Sequence, residues 1–104
     1  MVYLSEVIQR MLNRMRYKLT RERDGAGDSG PMSLGIHLDK DEKPVFEDNA
    51  RPQIGKIIRV GTFMARSYQS QDWWQTTPVT EILEESENLV RFRTSNSVYI
   101  WEVL

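Results

Sequence analysis

The chain has 104 residues, no cysteine, and a net charge of −1 from 14 basic and 15 acidic side chains. That length suits one domain with a small core. The composition excludes a disulfide framework, a thiolate metal site, a cysteine nucleophile and any overall attraction to nucleic acid or anionic membranes.

The charge is unevenly spread. Residues 1–23 carry six basic and two acidic groups, residues 24–50 two basic and seven acidic, and residues 51–104 six of each. No apolar run approaches the ~18 residues of a membrane span. Glu6 and Arg10 interrupt anything resembling a signal-peptide core, so a cytoplasmic setting is expected.

Leu4, Val7, Ile8, Met11, Leu12, Met15 and Leu19 follow the i, i+3, i+4, i+7 spacing of one helix face, with Ser5 placed as an N-cap. This predicts an amphipathic helix over 5–21, ended near Gly25. Glu6 at its start and Arg14, Arg16, Lys18 and Arg21 toward its end follow the order the helix dipole favours. Such a stripe is expected to cover the chain's own sheet. Its alternative uses are a partner groove, self-association into a homo-oligomer, or an anionic surface served by Arg10, Arg14, Lys18 and Arg21. An Arg-rich, acid-poor start also has the composition of a transit peptide.

Residues 24–52 read as a flexible acidic connector, because Asp24-Gly25-Ala26-Gly27-Asp28-Ser29-Gly30-Pro31 packs three glycines and a proline into eight positions. Ile36 and Leu38 flank His37, and Val45-Phe46 follows Pro44, a pattern compatible with a hairpin attached at a sheet edge. Asp39 and Asp41 are spaced as the first two ligands of a calcium loop. Pro44 stands where that loop needs glycine and Ala50 where it needs glutamate, so a solvated acidic loop is expected instead. His37 is the sole histidine and cannot anchor a metal site of nitrogen and sulfur ligands.

The second half reads as five strands, at roughly 56–60, 62–68, 78–84, 89–95 and 97–103. Val90, Phe92 and Thr94 share one face of the fourth strand, and Arg91 and Arg93 share the other. The fifth is apolar on both faces, Val98 and Ile100 against Tyr99, Trp101 and Val103. The expectation is one α+β domain: the N-terminal helix packed on a strongly bent five-stranded antiparallel sheet or a small Tudor-like or OB-like barrel.

Adjacent Trp73 and Trp74 in an extended segment would point to opposite faces. One can enter the core. The other would anchor a partner among Arg66, Tyr68, Gln71 and Asp72. No phosphate loop, GxSxG, HExxH or second histidine is present to support catalysis or a cofactor. The functional expectation is therefore a non-enzymatic adaptor or inhibitor that binds a protein, of the size and class that mobile elements use as anti-CRISPR or anti-restriction inhibitors. The alternative is a nucleic-acid-binding barrel using Arg91 and Arg93 with the aromatic rings, against which stand Glu81, Glu84, Glu85 and Glu87.

Overall fold

The computed structural model describes residues 16–62 and 72–104, and over these the protein consists of nine β-strands. They are β1 (Tyr17–Arg21), β2 (Gly27–Gly30), β3 (Met32–Leu38), β4 (Pro44–Asp48), β5 (Ile57–Thr62), β6 (Asp72–Gln75), β7 (Val79–Glu85), β8 (Leu89–Thr94) and β9 (Val98–Val103). A five-stranded sheet runs in the order β2-β1-β9-β8-β7 and a four-stranded sheet in the order β4-β3-β5-β6. All strand pairs are antiparallel.

The architecture is all-β among the described residues, which overturns the expected α+β fold with a helix packed on its sheet. Of the predicted helix, Tyr17–Arg21 is β1, seated between β2 and β9; the remainder lies outside the described residues except Arg16, which precedes the strand. Leu19 fits two periods at once, four residues after Met15 in a helix and two after Tyr17 in a strand. Pairing decides between them: Tyr17 and Leu19 face inward and are buried, Lys18 faces out, and the backbone is satisfied on both sides.

The glycine-rich stretch forms β2 rather than a tether. A side chain at Gly27 would run into the Leu19 carbonyl oxygen at 1.9 Å, and one at Gly30 would meet the Gly61 backbone at 2.5 Å. These glycines admit neighbouring backbones instead of breaking the strand. Pro31 then divides β2 from β3, so consecutive strands belong to different sheets. The second sequence-predicted strand, 62–68, lies outside the described residues apart from Thr62, which ends β5.

Both sheets turn one face to a common core. Tyr17, Leu19, Phe92, Tyr99 and Trp101 from the larger sheet meet Ile58 and Val60 from the smaller. Tyr17 stacks on Trp101 with centroids 5.7 Å apart, and Phe92 on Tyr99 at 5.6 Å. Full burial of each such side chain is worth about 1.5–3 kcal/mol relative to leaving it in water. Trp101, expected to need cover from the helix, is 1% exposed beneath the other sheet.

A buried polar relay ties the sheets together. Trp101 Nε1 donates to Ser33 Oγ at 2.9 Å, and Ser33 Oγ donates to the Ala50 carbonyl at 2.8 Å. Asn49 adopts a left-handed backbone (φ 54°), and its Oδ1 accepts from the Tyr17 hydroxyl at 3.0 Å. Arg51 follows. Its guanidinium lies 5.3 Å from the Trp101 ring centroid and donates to the carbonyls of Glu87, at 2.6 Å, and Ser86. At the far end, Val79 exchanges backbone bonds with Gly55 and Lys56, joining the start of β7 to the approach of β5.

Ser33→Ala should strand the buried Trp101 N–H and lower unfolding stability by about 1–3 kcal/mol. Ser29→Ala, at an exposed position, should stay within about 0.5 kcal/mol of the wild type. Urea titration followed by tryptophan fluorescence checks both.

Candidate functional site

Side chains alternate across each strand, so the register assigns every residue of the four-stranded sheet to the core side or the outer side. Ser33 and Gly35 on β3 oppose Val60 and Ile58, which are core. Leu34, Ile36 and Leu38 therefore belong to the outer side, together with Ile57 and Arg59 on β5 and Phe46 opposite Ile36 on β4. Trp73 opposes Gly61 and shares that outer side, whereas Trp74 opposes Val60 and turns inward.

The paired tryptophans thus separate as an extended strand requires. Trp74 packs against the core, its Nε1 donates to the Tyr99 hydroxyl at 3.3 Å, and the Arg21 guanidinium lies 4.9 Å from its ring centroid. Trp73 remains half-buried. The Arg59 guanidinium sits 4.2 Å from the Trp73 ring centroid, and Arg59 Nε donates to Gln75 Oε1 at 2.7 Å. Burial lowers the Arg59 pKa from its ordinary value.

At the opposite border of this face, Leu38 and Phe46 lie on a diagonal of the β3–β4 hairpin, Phe46 opposite Ile36 and Leu38 opposite Pro44. They are 63% and 54% exposed, whereas Leu34 and Ile36 in the middle of the face are covered. The hairpin turn is organised by Asp39, whose Oδ1 accepts from the backbone N–H of Asp41 at 2.8 Å and of Lys43 at 2.9 Å. This carboxylate is occupied as a turn cap. On the core side of the hairpin, Lys56 Nζ lies 2.6 Å from Glu47 Oε1, and His37 Nδ1 lies 3.4 Å from the same oxygen. The Lys56 ammonium, and secondarily His37, hold the Glu47 carboxyl below the usual carboxylate range.

Of the residues proposed from sequence to surround the tryptophans, Arg66, Tyr68 and Gln71 lie outside the described residues, and Asp72 opens β6 opposite Thr62. Arg10 and Arg14 also lie outside. Lys18 stands exposed on β1, opposite Glu102, and Arg21 is held by Asp24. Arg91 makes two bonds to Glu22, at 2.8 and 3.0 Å, and lies 3.9 Å from Glu84; Arg93 pairs with Glu81 at 2.9 Å. Arg21, Arg91 and Arg93 thus stand within carboxylate pairs, which lowers the positive field they can present.

Leu38 and Phe46 were not singled out as binding residues from sequence. Their signal was present as two apolar residues flanking an acidic turn behind Pro44. Only the strand order shows that β4 is an edge.

No known protein family, curated protein or solved structure matches this chain.

Asp24 supplies a pH test of the ion pairs. The bond from Arg21, aided by the Ala26 N–H, lowers its carboxyl to about 2 from 3.8. A depressed carboxylate pKa stabilises the fold above the unfolded value, and the benefit is lost as pH falls from about 3.8 toward about 2. Arg21→Gln should return the Asp24 titration toward the ordinary range, as followed by carbon NMR of the carboxyl group.

Proposed function

We propose that this is a non-enzymatic cytoplasmic protein that binds a protein partner, as an adaptor or inhibitor, through the exposed borders of the outer side of its four-stranded sheet. The carrying observation is the pair Leu38 and Phe46, diagonal on one face and 63% and 54% exposed. A small domain has few large apolar side chains to place in its core, and two left open side by side form a contiguous apolar contact for another molecule. Trp73, stacked with Arg59 at the other border, supplies the aromatic and guanidinium pair favoured as an interface anchor. A small inhibitor acting against host defence suits this size and class by analogy alone.

The paired state of Arg91 and Arg93 weighs against nucleic acid as the ligand, since their contribution to phosphate binding must first overcome Glu22, Glu81 and Glu84. Salt separates the two readings. A protein partner held chiefly by apolar contact should lose far less affinity between about 50 and 500 mM salt than phosphate-driven binding, which collapses over that range.

Immobilised protein should retain its partner from lysate of the source organism across that range. The double variant Leu38→Asp/Trp73→Ala should reduce retention at least ~10-fold while remaining folded by circular dichroism. Steeply salt-dependent retention of nucleic acid, abolished by Arg91→Ala/Arg93→Ala, would replace the protein-binding reading.

A further inference from the structure

Among the described residues β4 is an outermost strand of the four-stranded sheet, and the hydrogen-bond phase along it follows from the ladder. Ile58 exchanges bonds with Thr76 on the β6 side: its carbonyl accepts from the Thr76 N–H at 2.9 Å, and its N–H donates to Thr76 Oγ1 at 3.1 Å. The alternation of an antiparallel ladder then directs Ile57 and Arg59 toward β3, Leu34 and Ile36 toward β5, and Gly35 and His37 toward β4. The bond from the Asp39 N–H to the Lys43 carbonyl, at 2.9 Å, fixes the same phase from the turn. Phe46 and Asp48 therefore direct their backbone groups away from the sheet. Pro44 stands at an outward position, where its missing N–H costs no internal bond.

The other edges are less suited to pairing. β7 is interrupted by two register shifts and carries exposed Glu81, Glu84 and Glu85, the devices that keep an edge from pairing. β2 is four residues long and packs against β5 and β6; β6 is equally short. β4 keeps an unbroken register over five residues, with Phe46 and Leu38 standing beside the open backbone.

We propose, resting on the protein-binding reading above, that β4 accepts an extended cationic segment of the protein partner as a fifth strand of this sheet. Charge selects the occupant. Between Asp39 and Asp48 the hairpin carries five carboxylates; Asp39 caps the turn and Glu47 pairs with Lys56, which leaves Asp41, Glu42 and Asp48 exposed beside Lys40 and Lys43. A segment alternating apolar residues with Lys or Arg would set its cations on the outer side beside Asp48, with their aliphatic stems along Phe46, and its apolar residues on the other side beside Val45. A second copy fits poorly. Two-fold pairing about Phe46 would join two net-acidic strands and set each Pro44 opposite the partner's Asp48, losing a ladder bond at both ends.

The test uses the full chain, ¹⁵N-labelled, with a synthetic peptide alternating valine and lysine and a counterpart alternating valine and glutamate. The lysine peptide should shift the Phe46 and Asp48 amides most and slow their hydrogen exchange about tenfold at saturation. The glutamate peptide should bind at least ~10-fold more weakly, and Asp48→Lys should weaken the lysine peptide at least ~5-fold. Phe46→Pro removes the outward N–H without removing an internal bond and should abolish binding at an unchanged melting profile. Asp48→Lys, at an exposed position, preserves the test if Phe46→Pro does not fold.

Shifts centred away from β4, equal binding of the glutamate peptide, or a peptide-independent doubling of mass lost in Phe46→Pro would each overturn the edge proposal. Retention of the lysate partner by Phe46→Pro but not by Leu38→Asp/Trp73→Ala would overturn the edge alone. Retention by both variants would remove the docking face as well.

Discussion

The hydrogen bond from Trp101 to Ser33 is the contact on which the arrangement of the two sheets depends. Apolar packing is non-directional and would let one sheet slide over the other at little cost. A buried indole N–H must find an acceptor. Ser33 supplies it from the opposite sheet and passes its own proton to Ala50. That sets where the segment after β4 runs, and with it the position of Arg51 over the Trp101 ring and against the β7–β8 turn. The hairpin is therefore held by core chemistry at its open end, where β3 starts and β4 stops, although Leu38 and Phe46 stand in water.

The two sheets treat charge in opposite ways. On the outside of the larger sheet, Arg91 and Arg93 are matched by Glu22, Glu84 and Glu81, so that surface nearly neutralises itself. The β3–β4 hairpin keeps Glu47 for Lys56 and leaves Glu42 and Asp48 exposed. Among the described residues, an excess of negative charge, exposed apolar side chains and an outermost strand coincide there. Each alone is ordinary; together they set this hairpin apart from the self-neutralised surface of the larger sheet.

How much of this could be read from the sequence varies along the chain. β7, β8 and β9 form where period-two alternation and the turns around Ser86 and Ser95 place them, because these strands pair with sequence neighbours. The opposite orientations of Trp73 and Trp74 also follow from alternation alone. β1 was hidden because its partner, β9, lies most of the chain away, and no local pattern could outweigh the helical spacing that Leu19 shares with Met15. β2 was hidden because glycine reads as a breaker until the backbone it must admit is known. Phe46 could be seen as apolar but not as exposed, since exposure depends on which strand ends the sheet.

The pairing of β1 with β9 also bears on how the fold is reached. Tyr17 stacks on Trp101, and both the Trp101–Ser33 and Arg91–Glu22 bonds span nearly seventy positions, at separations of 68 and 69. Such contacts demand closure of long loops before they return any stabilisation, which slows the search. The core cannot assemble stepwise as the strands emerge, because its two largest stacked rings arrive from distant parts of the chain. Folding should wait until β9 has been synthesised, and loss of that single strand should dissolve both sheets together.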